Sequence, residues 1–264
     1  MNLHLTEKNA LVTGSTAGIG LAIAESLAGE GAHVIVNGRT QARVDAAVAR
    51  IKEKHPEAKI TGIAADLGTA EGVKALVGQL PDVDVLVNNL GIFEPKAFEE
   101  IPDEDWLRLF EVNVLSGVRL SRAYLKGMKK RGWGRILFIS SESAVQIPEE
   151  MIHYGMTKTA QVAVSRGLAE ACAGTGVTSN SILVGPTASE GVGTFVAQLA
   201  EQQGQSAEEF EKEFFNSVRP TSLIKRFLTP EEIAAVAVFA CSPAAASING
   251  AALRADGGLL KSAF

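Results

Sequence analysis

Cysteine is scarce in this chain: 264 residues contain two, Cys172 and Cys241. A sparse pair inside Ala-rich helical patterns excludes a disulfide framework and fits a reducing compartment, with both thiols buried and inert. A basic excess is also missing. The formal net charge of −5 gives no electrostatic case for nucleic acid or an anionic membrane surface as partner. No apolar run is long enough to span a bilayer. The opening MNLHLTEKNALVTG has neither the basic start nor the continuous apolar stretch of a secretory leader. A cytoplasmic protein is therefore expected. Low-complexity segments and internal repeats are absent, and no metal site is expected.

What the chain does have is alternation. Short apolar runs occur at Ala10–Val12, Ala32–Val36, Ile60–Ala64, Val83–Val87, Arg135–Ile139, Val177–Val184 and Ala251–Arg254, most of them followed by a stretch of helix length. Runs such as HVIVN and DVLVN are apolar enough for strands covered on both faces. The pattern predicts an α/β fold. It is a single doubly wound, Rossmann-type domain over residues 1–264, with a seven-stranded, mainly parallel sheet and helices on both faces. Ligands of such sheets sit beyond the carboxyl ends of the strands, so the residues after each run are the candidates.

The first run leads into Thr13-Gly14-Ser15-Thr16-Ala17-Gly18-Ile19-Gly20, which opens an Ala-rich helix. Glycines at this place permit a tight turn and close approach of a pyrophosphate to the helix N-terminus. Gly14, Ser15, Thr16, Gly18, Ile19 and Gly20 are candidate cofactor residues. The second run ends in Asn37-Gly38-Arg39 without a carboxylate. In dinucleotide folds an acidic residue there bonds the ribose hydroxyl and a basic one accepts a 2′-phosphate. Asn37 and Arg39, with Ser15 nearby, point to a phosphorylated cofactor. Asp66 and Leu67 follow the third run, and Asn88-Asn89-Leu90-Gly91 follow the fourth; both stretches can border the adenosine. The amides after the fourth run can equally fix the local turn.

A helical pattern then extends over about 103–130, with acids first and Lys129-Lys130-Arg131 last, as the helix dipole prefers. An alternative use of that basic end is to dock an acidic carrier protein. Asn113 lies within the pattern and needs a hydrogen-bond partner if buried. Ser141 ends the fifth run, and thirteen residues later Tyr154 and Lys158 stand four apart on one helix face. A phenol near pKa ~10 is a poor acid or base at neutral pH. A lysine ammonium about 4 Å away offers roughly 4 kcal/mol of gross attraction to the phenolate at an effective dielectric of ~20, enough to lower that value. Ser141 can hold the substrate oxygen meanwhile. Residues from about 188 to 222, with Phe195, Leu199, Phe210, Phe214 and Phe215 among glutamates, read as two short amphipathic helices. Their aromatic face either lines a pocket or packs on the body.

TGSTAGIG at Thr13–Gly20, NNLG at Asn88–Gly91, Asn113, Ser141, Tyr154-x-x-x-Lys158, the Asn180–Gly185 strand end, TPEEIA at Thr229–Ala234 and Asp256-Gly257-Gly258 occur together in one order. In these motifs the chain resembles the short-chain dehydrogenase/reductase family over nearly its whole length. The resemblance implies that Tyr154 is the catalytic acid/base. It further implies that Lys158 lowers the tyrosine pKa and holds the nicotinamide ribose, that Ser141 positions the substrate, and that Asn113 sustains a water-linked relay to Lys158. Asn89, Gly91, Gly185 and Thr187 would border the cofactor. Residues 188–222 correspond to the family's substrate lid. The reaction implied is an NADP(H)-dependent interconversion of a small-molecule carbonyl and an alcohol, with NAD(H) possible as cofactor. Relatives of this kind include 3-oxoacyl-carrier-protein reductases, and family members are usually homotetramers. An NAD-linked alcohol, sugar or sterol dehydrogenase and a non-catalytic cofactor-binding regulator are the alternatives. Two departures stand out. Leu90 replaces the family's usual alanine, and Val184-Gly185-Pro186-Thr187 moves the usual proline past the glycine.

Overall fold

In a computed structural model, which describes residues 2–189 and 205–263, the apolar runs become the strands. They are β1 Asn9–Val12, β2 His33–Gly38, β3 Ile60–Ala64, β4 Val85–Asn88, β5 Gly134–Ile139, β6 Val177–Val184 and β7 Ala252–Ala255. All pair in parallel, in the order β3-β2-β1-β4-β5-β6-β7. The helices are α1 Gly18–Gly29, α2 Gln41–Lys54, α3 Ala70–Gln79, α4 Asp103–Phe110, α5 Ser116–Arg131, α6 Ile152–Ala171, α7 Ala207–Ser217 and α8 Pro230–Ala240.

Side chains alternate across the sheet, so each strand feeds two cores. Val12, Val36 and Val87 pack with Leu21, Ile23 and Leu27 of α1 and with Ile233, Ala237 and Val238 of α8. Leu11, Ile35, Leu86 and Phe138 pack on the opposite face with Leu76 of α3 and with Leu120, Tyr124 and Met128 of α5. Burial on both faces is why the runs are continuously apolar. The strand order reverses between β1 and β4, which opens a crevice at the carboxyl ends of the central strands.

The helix expected over 103–130 is interrupted. Between α4 and α5 the residues Glu111–Leu115 form a π-turn. Asn113 sits in that wider turn, with its amide bonded to both the carbonyl and the N–H of Ile92 and to Thr157 Oγ1. The basic end of α5 is engaged locally. Lys129 donates to the Ala171 carbonyl, and Arg131 bonds Asp82 and the Val83 carbonyl. Two of the three cations therefore tie α5 to its neighbours.

Of the two helices expected over 188–222, the described residues contain one, α7. It starts at a capping box in which the Ser206 hydroxyl accepts from the Glu209 N–H and the Glu209 carboxylate accepts from the Ser206 N–H. Phe195 and Leu199 lie outside the described residues. The TPEE motif starts α8 with the same device, Thr229 with Glu232, and with Pro230 in the first turn. Cys172 and Cys241 are both buried and free, one residue past the ends of α6 and α8.

Candidate active site

The turn from β1 into α1 is built for an anion. Gly14 and Gly18 take positive φ values of 60° and 55°. Gly20 lies so close to the turn that a Cβ there would sit 2.5 Å from the Gly14 carbonyl oxygen and 2.5 Å from Asn89 Nδ2. Ala17, the N-cap of α1, offers no side-chain acceptor, and the first turn contains no acid. The free N–H groups and the positive end of the helix dipole thus face outward uncompensated, which suits a phosphate.

Beyond the ends of β4, β5 and β6 lies a cavity of about 650 Å³. Ile19, Asn89, Gly91, Ser141, Tyr154, Lys158, Gly185 and Thr187 all border it, so these eight sequence candidates meet in one space. Thr16 and Gly18 border a neighbouring hollow between α1, α2 and the start of α8. Phe210 and Phe214 of α7 line the main cavity, as does Phe227, whereas Phe215 is fully buried behind them. The aromatic side of α7 therefore both lines the pocket and packs on the body. The loop after β6 closes despite its displaced proline, because Gly185 donates to the Ala255 carbonyl and Leu228 donates to the Pro186 carbonyl. Leu90 packs against the core on the α3–α5 face.

Several candidates spend their polar atoms on the fold. Asn37 is 2% exposed. Its amide donates to the carbonyls of Ile63 and Ala65 and accepts from the Gly14 N–H, which leaves it no free donor for a ribose. The Ser15 hydroxyl donates to the Val12 carbonyl and accepts from the Asn37 N–H. Both residues hold the Gly-rich turn against β2 and β3. Arg39 is the exposed group at that strand end. Asp66 accepts from the Gly68 N–H, and the Leu67 side chain is core. Asn89 donates to the Thr13 and Gly14 carbonyls, fixing the turn while it borders the cavity.

Lys158 Nζ lies 5.5 Å from the Tyr154 ring centroid and donates to the Ile139 carbonyl and Gln161 Oε1 at 2.9 and 3.2 Å. Burial pushes it down to about 8, opposed by the Glu142 carboxylate. Tyr154 departs from expectation. Burial, with the Glu142 carboxylate adding to it, raises the phenol above its ordinary value, and a hydrogen bond with Ser141 only partly opposes this. The cost of burying a phenolate outweighs the hydrogen bond that Ser141 offers it.

Three further residues belong to this centre and were not singled out in the sequence. Gln161 Nε2 donates to the Asn113 carbonyl at 2.6 Å, so one buried amide bridges Asn113 and Lys158, where the resemblance implies water. Glu142 and Arg219 line the cavity beside Ser141. The available signal for Gln161 was a polar residue three positions after Lys158 on the same helix face.

A model of the short chain dehydrogenase family matches residues 8–200. An uncharacterized oxidoreductase of Bacillus subtilis, YvaG, is 51% identical over the full length of both chains. D-beta-hydroxybutyrate dehydrogenase of Cupriavidus necator is 35% identical over 96% of this chain and 98% of its own. Among solved structures, L-sorbose reductase from Gluconobacter frateurii, complexed with NADPH and L-sorbose, superposes with a TM-score of 0.92. That protein is 33% identical and covers 99% of this chain and 100% of its own.

Proposed function

The chain belongs to the short chain dehydrogenase family, and from that premise we propose that it is an NADP(H)-dependent oxidoreductase interconverting a small-molecule ketone and a secondary alcohol. The observation that carries this reading is the convergence of Ser141, Tyr154 and Lys158 on one cavity at the carboxyl ends of the sheet. The uncapped, glycine-lined N-terminus of α1 fits a dinucleotide pyrophosphate. The exposed Arg39 at the end of β2 fits a 2′-phosphate. When bound, NADP(H) supplies or accepts the hydride at the nicotinamide ring.

The rest of the chemistry is the chain's own. Because burial and Glu142 raise its pKa, Tyr154 stays protonated at neutral pH and gives its proton to the carbonyl oxygen in reduction. Lys158, with a value near 8, is largely an ammonium at pH 7 and stabilises the phenolate left behind. Its Nζ lies 5.5 Å from the centroid of the Tyr154 ring, and a unit charge pair at a separation of about that size gains on the order of 3 kcal/mol gross at an effective dielectric of ~20. Ser141 positions the substrate oxygen, and Asn113 and Gln161 fix Lys158 from behind. The apolar wall of Phe93, Phe210, Phe214 and Phe227 favours a substrate with an apolar body. We read the whole chain as one catalytic unit that works as a homo-oligomer, a reading supported by the exposed Phe98 and Leu107 flanking the start of α4.

The test is a panel of ketones and secondary alcohols assayed at the reduced-nicotinamide absorbance, with Tyr154→Phe as the control. The variant should bind NADPH as tightly as wild type by fluorescence titration and lose turnover by about a thousandfold or more. More than a tenth of the wild-type rate remaining would remove Tyr154 from the acid/base role.

A further inference from the structure

Glu142 is a buried carboxylate, 5% exposed, in the wall of the substrate cavity and next in sequence to Ser141. Such a charge costs free energy unless it is fully hydrogen-bonded, and here it is. Its Oε2 accepts from the Ser141 hydroxyl, from the Ser143 N–H at 2.6 Å and from the Ser143 hydroxyl at 2.9 Å. Its Oε1 accepts from Arg219 Nε at 3.1 Å. Arg219 follows α7, its side chain is 12% exposed, and it also approaches Glu150 at 3.5 Å. The segment after the lid helix therefore reaches across the cavity to grip a carboxylate that grips Ser141.

A serine hydroxyl has one proton to give. With that proton directed at Glu142, the Ser141 oxygen retains only acceptor capacity toward the cavity, and it can donate to a Tyr154 phenolate only by turning the proton away from Glu142. It also accepts from the Ser143 N–H at 3.1 Å, which fixes the rotamer. We propose that Glu142 is a positioning residue that commits Ser141 to accept, not donate, hydrogen bonds at the reacting oxygen, with Arg219 anchoring the carboxylate from the lid side. A bound alcohol then has a partner in Ser141, whereas a bound ketone has Tyr154 as its one hydroxyl donor. The site discriminates between the two oxidation levels of one substrate, binding the alcohol more tightly relative to the ketone than a free serine would. This rests on the assignment of Ser141 and Tyr154 made above.

Removing Glu142 has a second effect that a scaffold residue would not produce. Among the described residues, the charged groups facing Tyr154 across the cavity are Lys158 on its own helix, Glu142 after β5, Glu149 and Glu150 before α6, and Arg219 after α7. Glu142 and Arg219 oppose each other, so their removal should move the tyrosine in opposite directions.

The experiment uses the full-length enzyme with NADP(H) and the ketone and alcohol pair that the panel identifies as best turned over, over pH 6 to 10. In Glu142→Ala, the ratio of KM for the ketone to KM for the alcohol should fall at least about threefold, because Ser141 can now donate. The rising limb of log kcat/KM for alcohol oxidation, set by a phenol above its ordinary 10 and so still climbing at pH 10, should be displaced by about one pH unit toward lower pH in both Glu142→Ala and Glu142→Gln. Arg219→Gln should move the same limb up. Combining Ser141→Ala with Glu142→Ala should leave the KM ratio where Ser141→Ala alone puts it. An unchanged KM ratio and an unmoved limb in folded Glu142 variants would overturn the proposal. Should those variants not fold, Arg219→Gln decides alone, and a limb that stays or moves down overturns it. Turnover by Tyr154→Phe would instead sink the underlying assignment, so the two failures are distinguishable.

Discussion

Lys158→Met should make the cofactor-free protein more stable at neutral pH while destroying its activity. In the native state burial holds Lys158 near 8, against an ordinary value of 10.5. That displacement corresponds to about 3 kcal/mol of destabilisation at pH 7, where both the folded and unfolded lysines are charged and the folded one is poorly solvated. Methionine fills a similar volume without the charge. It also abandons two acceptors, the Ile139 carbonyl and Gln161 Oε1, at about 1 kcal/mol each, so the net gain at pH 7 is about 1 kcal/mol. The pH dependence is the sharper signature. Between about 8 and 10.5 the unfolded chain carries a proton on this lysine that the folded chain has lost, so wild-type stability rises with pH. The wild type should recover roughly 2 kcal/mol relative to the variant between pH 7 and about 9.5. Tyr154 ionises above its ordinary 10 in both proteins and cancels in the comparison. Urea unfolding followed by tryptophan fluorescence across this range, without NADP(H), measures the difference. Parallel stability curves from pH 7 to 9.5 would refute the reasoning, because they would mean that Lys158 is not held against its charge.

Arg39→Ala should lower the ratio of catalytic efficiencies with NADPH and NADH by about tenfold to a hundredfold, the worth of ~1.5 to 3 kcal/mol for a charge-assisted contact; an unchanged ratio would mark Arg39 as merely solvated. Asn37→Asp, by contrast, should act on stability, since it sets a carboxylate against the Ile63 and Ala65 carbonyls that the amide now serves. A loss of about 1–3 kcal/mol is expected by urea unfolding. Gly20→Ala should cost about 1–3 kcal/mol and weaken NADPH binding together, because the new Cβ overlaps the Gly14 carbonyl and Asn89; a neutral result in both assays would contradict the close approach described.

Local pattern and remote partnership separated cleanly in what the chain disclosed. The strands were legible because residues such as Val12 and Leu11 are buried on opposite faces of one sheet, which leaves a continuous apolar run. Tyr154 and Lys158 were legible because helical spacing alone puts them on one face. Asn37 was placed at the correct strand end, but its side-chain bonds were not legible there. Chain position says where a strand stops; the direction of an amide depends on the Ile63 and Ala65 carbonyls of a neighbouring strand. Glu142 and Arg219 stand 77 residues apart, and Gln161 reaches Asn113 across 48. No periodicity joins such pairs. The expectation for Tyr154 set too small a cost for the desolvation that burial imposes on a phenolate.

The π-turn at Glu111–Leu115 makes the count of residues before α5 a matter of angular phase. Each α-helical residue advances the chain by about 100° around the axis. A one-residue deletion in this turn would let α4 and α5 fuse into one regular helix, gaining backbone hydrogen bonds. It would also rotate α4, with its salt-bridged Asp105 and Arg108, by about that angle relative to α5. Asn113 could no longer serve the Ile92 backbone, Thr157 and Gln161 at once. The segment can therefore vary in side chains more freely than in length, because its length sets the direction in which the support behind Lys158 points.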